Sequence, residues 1–360
     1  MLTAPAETRK ERVLGLDILR TAAILAVICI HSLENTSYVT PGDTVAGAFG
    51  RSLFLYIGII SVPVFIMLTG YLQLNAKPTA KYFKGIFSIL GIYVFYSIVT
   101  GLVRYYYFSE TIPNETNIFI GYIKFTLTYF NIGYAWYVEM FIGLFFLVPY
   151  LSVISRSFKR QRDFSVFMIV LIGIFGVSES VNSLFGFKVL PEWWNGFAPN
   201  KSGAWPLVYF FAGAYIRRYQ PKFYRAMLAV CYAGLILLFS VVTAKFRSVG
   251  SVWWSLPAIA LSVLAFLTLY DLKSDNKPLR FVFKYTSVLS FEVFLISYII
   301  DRLVWKEGFI ISALNVRLPY YPLIILLIYL LSMTVAVLRY SACRGITVLF
   351  KKDKKWKNSI

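Results

Sequence analysis

The sequence predicts an all-α fold, a polytopic membrane bundle of about ten transmembrane helices with both termini cytoplasmic. Three observations predict it. Of 360 residues, 58% are hydrophobic and only 15% charged, whereas soluble domains run at about 45–50% and about 25%. The apolar excess falls in blocks of membrane length, about 20 residues each. Lys and Arg are also lopsided along the chain: 25 lie on the side that holds the two termini and 9 on the other, with Arg20 and Arg302 inside spans. That asymmetry sets orientation by the positive-inside rule.

The ten spans are read at 13–33, 52–74, 83–103, 134–154, 164–184, 205–219, 225–244, 252–271, 286–305 and 320–340. The run 117–130 is apolar but short, as a re-entrant or interfacial piece is. The first span follows a basic tail like a secretory signal, but no small-residue cleavage site comes after it, so it is expected to be retained. One transmembrane domain, 1–345, leaves a basic cytoplasmic tail, 346–360. The loop Pro191–Asn200, rich in Trp, Pro, Gly and Asn, suits an aromatic belt at headgroup level, an interfacial lid or a sugar platform.

Charge and composition exclude several classes. The net charge of +19 is spread as a topology signal, with attraction to anionic membrane lipids, and not as a nucleic-acid footprint. Cys29, Cys231 and Cys343 lie in or beside apolar spans, which points to packing. One histidine and no Cys-x-x-Cys pair leave no metal site.

Ionisable groups inside spans are costly and normally face a protein interior or a water-filled cavity. The first span carries three: Asp17, Arg20 and His31, the only histidine. They fall on one helical stripe, with Arg20 and His31 eleven residues apart, about three turns and roughly 16 Å of rise. The stripe either does chemistry or glues helices together. The second span ends Thr69-Gly70-Tyr71, after Pro63; proline kinks helices and glycine admits close backbones. Lys77, Lys81 and Lys84 follow. Lys81 and Lys84 share a face at a helix start, where a phosphorylated ligand binds readily, although positive-inside charge explains them as well. The fourth span opens Trp136-Tyr137-Val-Glu139 near the outer face, with Glu139 a candidate partner for an imidazole. Glu34, three residues after His31, is close enough to orient its ring. Glu179 and Glu292 are isolated intramembrane acids. Asp301 and Arg302 are adjacent and so do not face each other on a helix.

These segments together resemble the acyltransferase-3 family of bacterial integral-membrane acyltransferases. Gly15-Leu-Asp17-Ile-Leu-Arg20, with His31 eleven residues on, is similar to that family's opening motif. Thr69-Gly70-Tyr71 resembles its Ser-Gly-Phe/Tyr segment, Trp136 through Pro149 its aromatic-led helix, and Trp205 through Tyr215 a weaker glycine-containing segment. The resemblance implies a ten-helix enzyme of the bacterial plasma membrane. Such an enzyme takes an acyl group, by family habit acetyl, from cytoplasmic acetyl-CoA to a hydroxyl, usually on a surface polysaccharide or lipid-linked sugar. Acetyl-CoA is then a co-substrate, with no bound cofactor. The resemblance further implies that His31 is catalytic and Arg20 essential. The chain departs from the family in having Lys81 and Lys84 where arginines are common, and lysine lacks the bidentate fork. It also has Ser297-Tyr298 where many members carry a histidine, and it leaves no room for a fused esterase-like domain.

The expected chemistry is attack of an alcohol on a thioester, with His31 as general base, the usual choice near neutral pH. Asp17, Glu34 or Glu139 is expected to hold the imidazole; a covalent acyl-histidine is the variant mechanism. Asp17 and Arg20 join His31 in the expected catalytic set. Arg20, Lys81 and Lys84 are expected on the donor. Glu34, Thr69, Tyr71, Trp136 and Glu139 are expected on the acceptor or in support. The rival reading is a transporter or lipid-linked sugar flippase using the same charges as a substrate path, but the inverted repeats and paired broken helices common in transporters are not evident. A polysaccharide polymerase would usually offer a larger outer loop.

Overall fold

α1 (Leu14–Glu34) runs through the middle of a helical bundle, packed against α2 (Val45–Gly58), α3 (Ser61–Leu72), α12 (Leu256–Leu269), α13 (Lys277–Gly308) and α14 (Tyr321–Lys357). The computed structural model describes residues 12–34, 45–110, 117–186, 188–190, 203–246, 252–308 and 318–357, and no strand occurs among them. The aromatic loop 191–200 and the side chain of Glu34 lie outside the described residues. The other helices are α4 (Ala80–Lys84), α5 (Ile86–Tyr106), α6 (Ile118–Leu127), α7 (Trp136–Ser157), α8 (Gln161–Ile172), α9 (Ser178–Phe185), α10 (Pro206–Tyr219) and α11 (Arg225–Phe246).

Seven stretches among the described residues are long and apolar enough to cross a membrane. They match the predicted spans at 13–33, 52–74, 83–103, 134–154, 164–184, 225–244 and 320–340. The remaining three behave differently for physical reasons. α10 and α12 have 14 residues each, about 21 Å at 1.5 Å per residue, short of a hydrocarbon core of about 30 Å. α10 is buried on nearly every face; the bundle surrounds it, so lipid thickness does not set its length. The stretch 286–305 lies within the 32-residue α13 and is interrupted by Glu292, Asp301 and Arg302.

Two predicted spans are internally broken. The span 52–74 divides at Ile59–Ile60 into α2 and α3. Pro63 has no N–H to donate to the Ile59 carbonyl four residues back, so the ladder fails there. The span 164–184 contains a π turn at Gly173–Val177. By contrast α7 continues through Pro149 to Ser157. The short run 117–130 forms the ten-residue α6, with Asn131 bonded to Ser97 and Thr126.

α3 and α10 approach until their backbones touch. A Cβ on Gly70 would lie 1.9 Å from the Phe210 carbonyl oxygen, and one on Gly213 would lie 1.9 Å from that of Met67. The two glycines are reciprocal: each removes the side chain that would keep the partner helix away. Gly213→Ala is therefore expected to lower stability by about 1–3 kcal/mol or more, the cost of overpacking, read as a fall in Tm of the detergent-solubilised protein.

Two charged groups of α13 are paired across the bundle. Glu292, on α13, accepts from Arg339 at 2.6 and 2.5 Å and from the Tyr96 hydroxyl at 2.9 Å, tying α13 to α14 and α5. At the far end of α13, Arg302 bonds Glu110, which also accepts from Arg104 at 2.7 Å. Burial raises the Glu110 carboxyl, but the two guanidiniums outweigh it and hold the group below its ordinary value. Arg302 and Asp301, neighbours in sequence, thus engage different partners.

Candidate active site

Two polar clusters lie along α1, one at each end. Near its start, a cavity of about 350 Å³ is lined by α1, α3, α4, α5, α7 and α13. Its walls are mostly aromatic, and its polar lining includes Arg20, Thr69, Gln73, Tyr82 and Ser290. Arg20 reaches it half-buried. The guanidinium makes one side-chain hydrogen bond among the described residues, to Ser287 Oγ at 3.3 Å. Guanidinium groups suit planar anions and carbonyls, and this one has donors to spare in an apolar setting. The Thr69 hydroxyl donates to the Phe65 carbonyl at 3.0 Å, and the residue lines the cavity.

At the other end of α1, the His31 ring stacks on Tyr134, with centroids 3.7 Å apart and planes at 17°. The imidazole is 8% exposed. Asp301, from α13, is the carboxylate beside it: Ser32 donates to one oxygen, Tyr134 donates to the other at 3.3 Å, and the carboxylate interacts electrostatically with His31. Parallel packing of α1 and α13 brings the pair together, since Ser287 meets Arg20 near the start of both helices and Asp301 meets Ser32 near their ends. An imidazole beside a buried carboxylate, itself held by two hydroxyls, is an arrangement suited to taking up and releasing a proton.

Tyr137 and Phe294 join the two clusters. Both line the cavity around Arg20, their rings lie 5.4 Å apart, and Tyr134 contacts Phe294 at 6.3 Å. Tyr298 packs edge-on against Tyr134 at 5.1 Å and accepts from Arg302.

The structure places the other predicted site residues as follows. Asp17 is paired with Arg12 at 2.6 and 2.7 Å. Fourteen helical residues put it about 21 Å along α1 from His31, so the two are not in contact. Glu139 is exposed on α7, within electrostatic reach of Tyr129. Tyr71 turns away from Thr69 into α12 and α10, against Phe266, Tyr270 and Arg217. Trp136 packs on Trp253 at 4.8 Å. Lys81 and Lys84 are exposed on α4, flanking Tyr82, which lines the cavity.

Sequence reasoning singled out Asp301 as an approaching charge without joining it to His31. It passed over Ser32, Tyr134 and Ser287. Asp301 and Ser32 left a usable signal, each standing next to an ionisable residue inside an apolar run.

Fold and site together define a multi-pass membrane protein, helical throughout its described residues, with Asp17, His31, Glu292 and Asp301 buried inside the bundle. An acyltransferase-domain family model matches residues 13–338; no curated protein and no solved structure matches the chain significantly. The chain belongs to the acyltransferase-3 family and is a membrane acyltransferase. This sets aside the transporter and polymerase readings.

Proposed function

We propose that the protein is an O-acetyltransferase of the bacterial plasma membrane, built as one domain over 1–345 with ten spans and both termini cytoplasmic. It moves an acetyl group from cytoplasmic acetyl-CoA to a hydroxyl of a surface polysaccharide or lipid-linked sugar. The observation that carries this reading is the Asp301 carboxylate in electrostatic reach of His31, both held by Tyr134, at one end of α1, while Arg20 enters an apolar cavity near the other. Donor and acceptor thus approach the reaction from opposite sides.

In this mechanism the acyl arm of the donor enters beside Arg20 and extends along Tyr137 and Phe294 toward His31. His31 takes the proton from the acceptor hydroxyl as its oxygen attacks the thioester carbonyl. The C–O bond forms, the C–S bond breaks, and the imidazolium returns its proton to the departing thiolate. Asp301 orients the imidazole and stabilises its charged form, the part that Asp17, Glu34 and Glu139 had been expected to supply. Lys81 and Lys84 stand at the rim of the cavity as point charges for donor phosphate. Thr69 offers its oxygen to the donor arm, and Trp136 lies on the acceptor side.

Purified protein incubated with radiolabelled acetyl-CoA and crude surface polysaccharide is expected to transfer label to the polysaccharide. Absence of both transfer and acetyl-CoA binding contradicts the proposal. Arg20→Ala removes a charge-assisted bond of about 1.5–3 kcal/mol. Initial rates against donor concentration should then show KM for acetyl-CoA raised about tenfold to a hundredfold, with Arg20→Lys between the two.

A further inference from the structure

Arg12, Lys277, Arg280 and Lys284 surround a recess of about 380 Å³ beside Asp17, at the first turns of α1 and α13. An adjoining hollow of about 230 Å³ shares Arg12 and Arg280 and adds Lys273 and Asp275. Five cations therefore face two carboxylates, and one of these, Asp17, is already engaged by Arg12. Lys277 and Lys284 are exposed, and neither forms a salt bridge among the described residues.

The start of α13 gathers more positive charge than Asp17 and Asp275 balance. The start of a helix is its positive pole, where acids are stabilising and cations are not. α13 has no acidic residue in its first turn; it has Lys277 and Arg280 instead. The positive-inside rule asks only that basic residues lie on the cytoplasmic side. It does not ask for them to ring a hollow at one helix start. The recess also adjoins the cavity described above: Ser287 Oγ accepts from Arg12 at 3.2 Å and from Arg20 at 3.3 Å.

We propose that this recess is a phosphate-binding site that takes the phosphorylated end of a ligand, a phosphomonoester or diphosphate. Two sources present that chemistry. One is the nucleotide part of the acyl donor, whose arm then passes Ser287 to reach Arg20. The other is an anionic lipid headgroup at the membrane surface. The nucleotide source rests on the donor reading above; the phosphate chemistry does not.

The test uses the full chain in nanodiscs. Wild type, K277E/K284E and the charge-conserving K277R/K284R are titrated with adenosine 3′,5′-bisphosphate in phosphatidylcholine discs. The same three proteins are examined for retained phosphatidylglycerol by native mass spectrometry. Both lysines are exposed, and the exchanges remove only the approach of the Lys284 ammonium to the Tyr285 ring at 5.9 Å. Reversing two charges within a Debye length of the ligand is expected to weaken binding about tenfold or more, with the arginine pair near wild type. A loss of bisphosphate binding in K277E/K284E identifies the nucleotide source. A loss confined to phosphatidylglycerol identifies the lipid. If neither ligand responds to the reversal, the recess is not a phosphate site. A charge-sensitive bisphosphate site in a protein that transfers no acetyl upholds the recess and overturns the donor reading. Normal transfer with unchanged KM in K277E/K284E, and no ligand responding, does the reverse.

Discussion

Replacing His31 with alanine is expected to lower kcat for acetyl transfer by about a hundred- to ten-thousand-fold, the usual contribution of a positioned general base, while the protein remains folded in the membrane. The effect falls on kcat because the imidazole acts on the reacting proton, whereas Arg20 lies roughly 16 Å away along α1 and keeps KM for acetyl-CoA near its wild-type value. Stability should change little in comparison. His31 stacks on Tyr134, and Tyr134 keeps its contacts with Tyr298 and Phe294. Asp301→Asn is expected to lower kcat less than His31→Ala, again with KM unchanged, because Asp301 acts through the ring. A pH–rate profile altered by Asp301→Asn separates this positioning role from a purely structural one. Initial-rate kinetics on the two variants check the order.

Removing Glu292 is expected to be the most damaging single change to stability. Its carboxylate receives two bonds from Arg339 and one from Tyr96, and only 6% of its side chain is exposed. Glu292→Ala strands the Arg339 guanidinium against apolar helices, and breaking a buried pair in this way costs about 3–5 kcal/mol. The double variant Glu292→Met, Arg339→Met removes both charges and should recover most of the loss, since apolar replacement of a whole buried pair is often neutral or better. Thermal unfolding of the two single variants and the double variant gives the coupling directly. Equal losses in all three would contradict the pairing.

The two ends of α1 were unequally legible in the sequence. Arg20 and His31 stood out because charge inside an apolar run has few explanations, and their spacing placed them on one stripe. Asp301 was visible by the same rule, but its partner was not. Which helix lies beside α1, and in which direction, is a tertiary fact that periodicity does not carry. The same limit hid Arg339 as the partner of Glu292, since Arg339 counted as one more basic residue of the tail. Helix existence read well: every predicted span corresponds to helix in the structure, and the short run at 117–130 became α6. Lengths read less well where tertiary context decides them. α10 is short because protein surrounds it, and the break at Ile59–Ile60 follows from the N–H that Pro63 lacks. The glycines gave a partial signal. Gly70 suggested close approach, and its reciprocal partner Gly213 emerged only when α10 was placed against α3.

In the proposed mechanism acetyl passes from a donor on the cytoplasmic side to an acceptor on the other, with His31 taking the proton between them. The most direct measurement uses sealed proteoliposomes of uniform orientation, with radiolabelled acetyl-CoA on the cytoplasmic side and polysaccharide acceptor on the opposite side, comparing wild type with His31→Ala. Label is expected on the acceptor with wild type, and little or none with the variant. Label appearing at the same rate with His31→Ala, or only when donor and acceptor share one side, would contradict it.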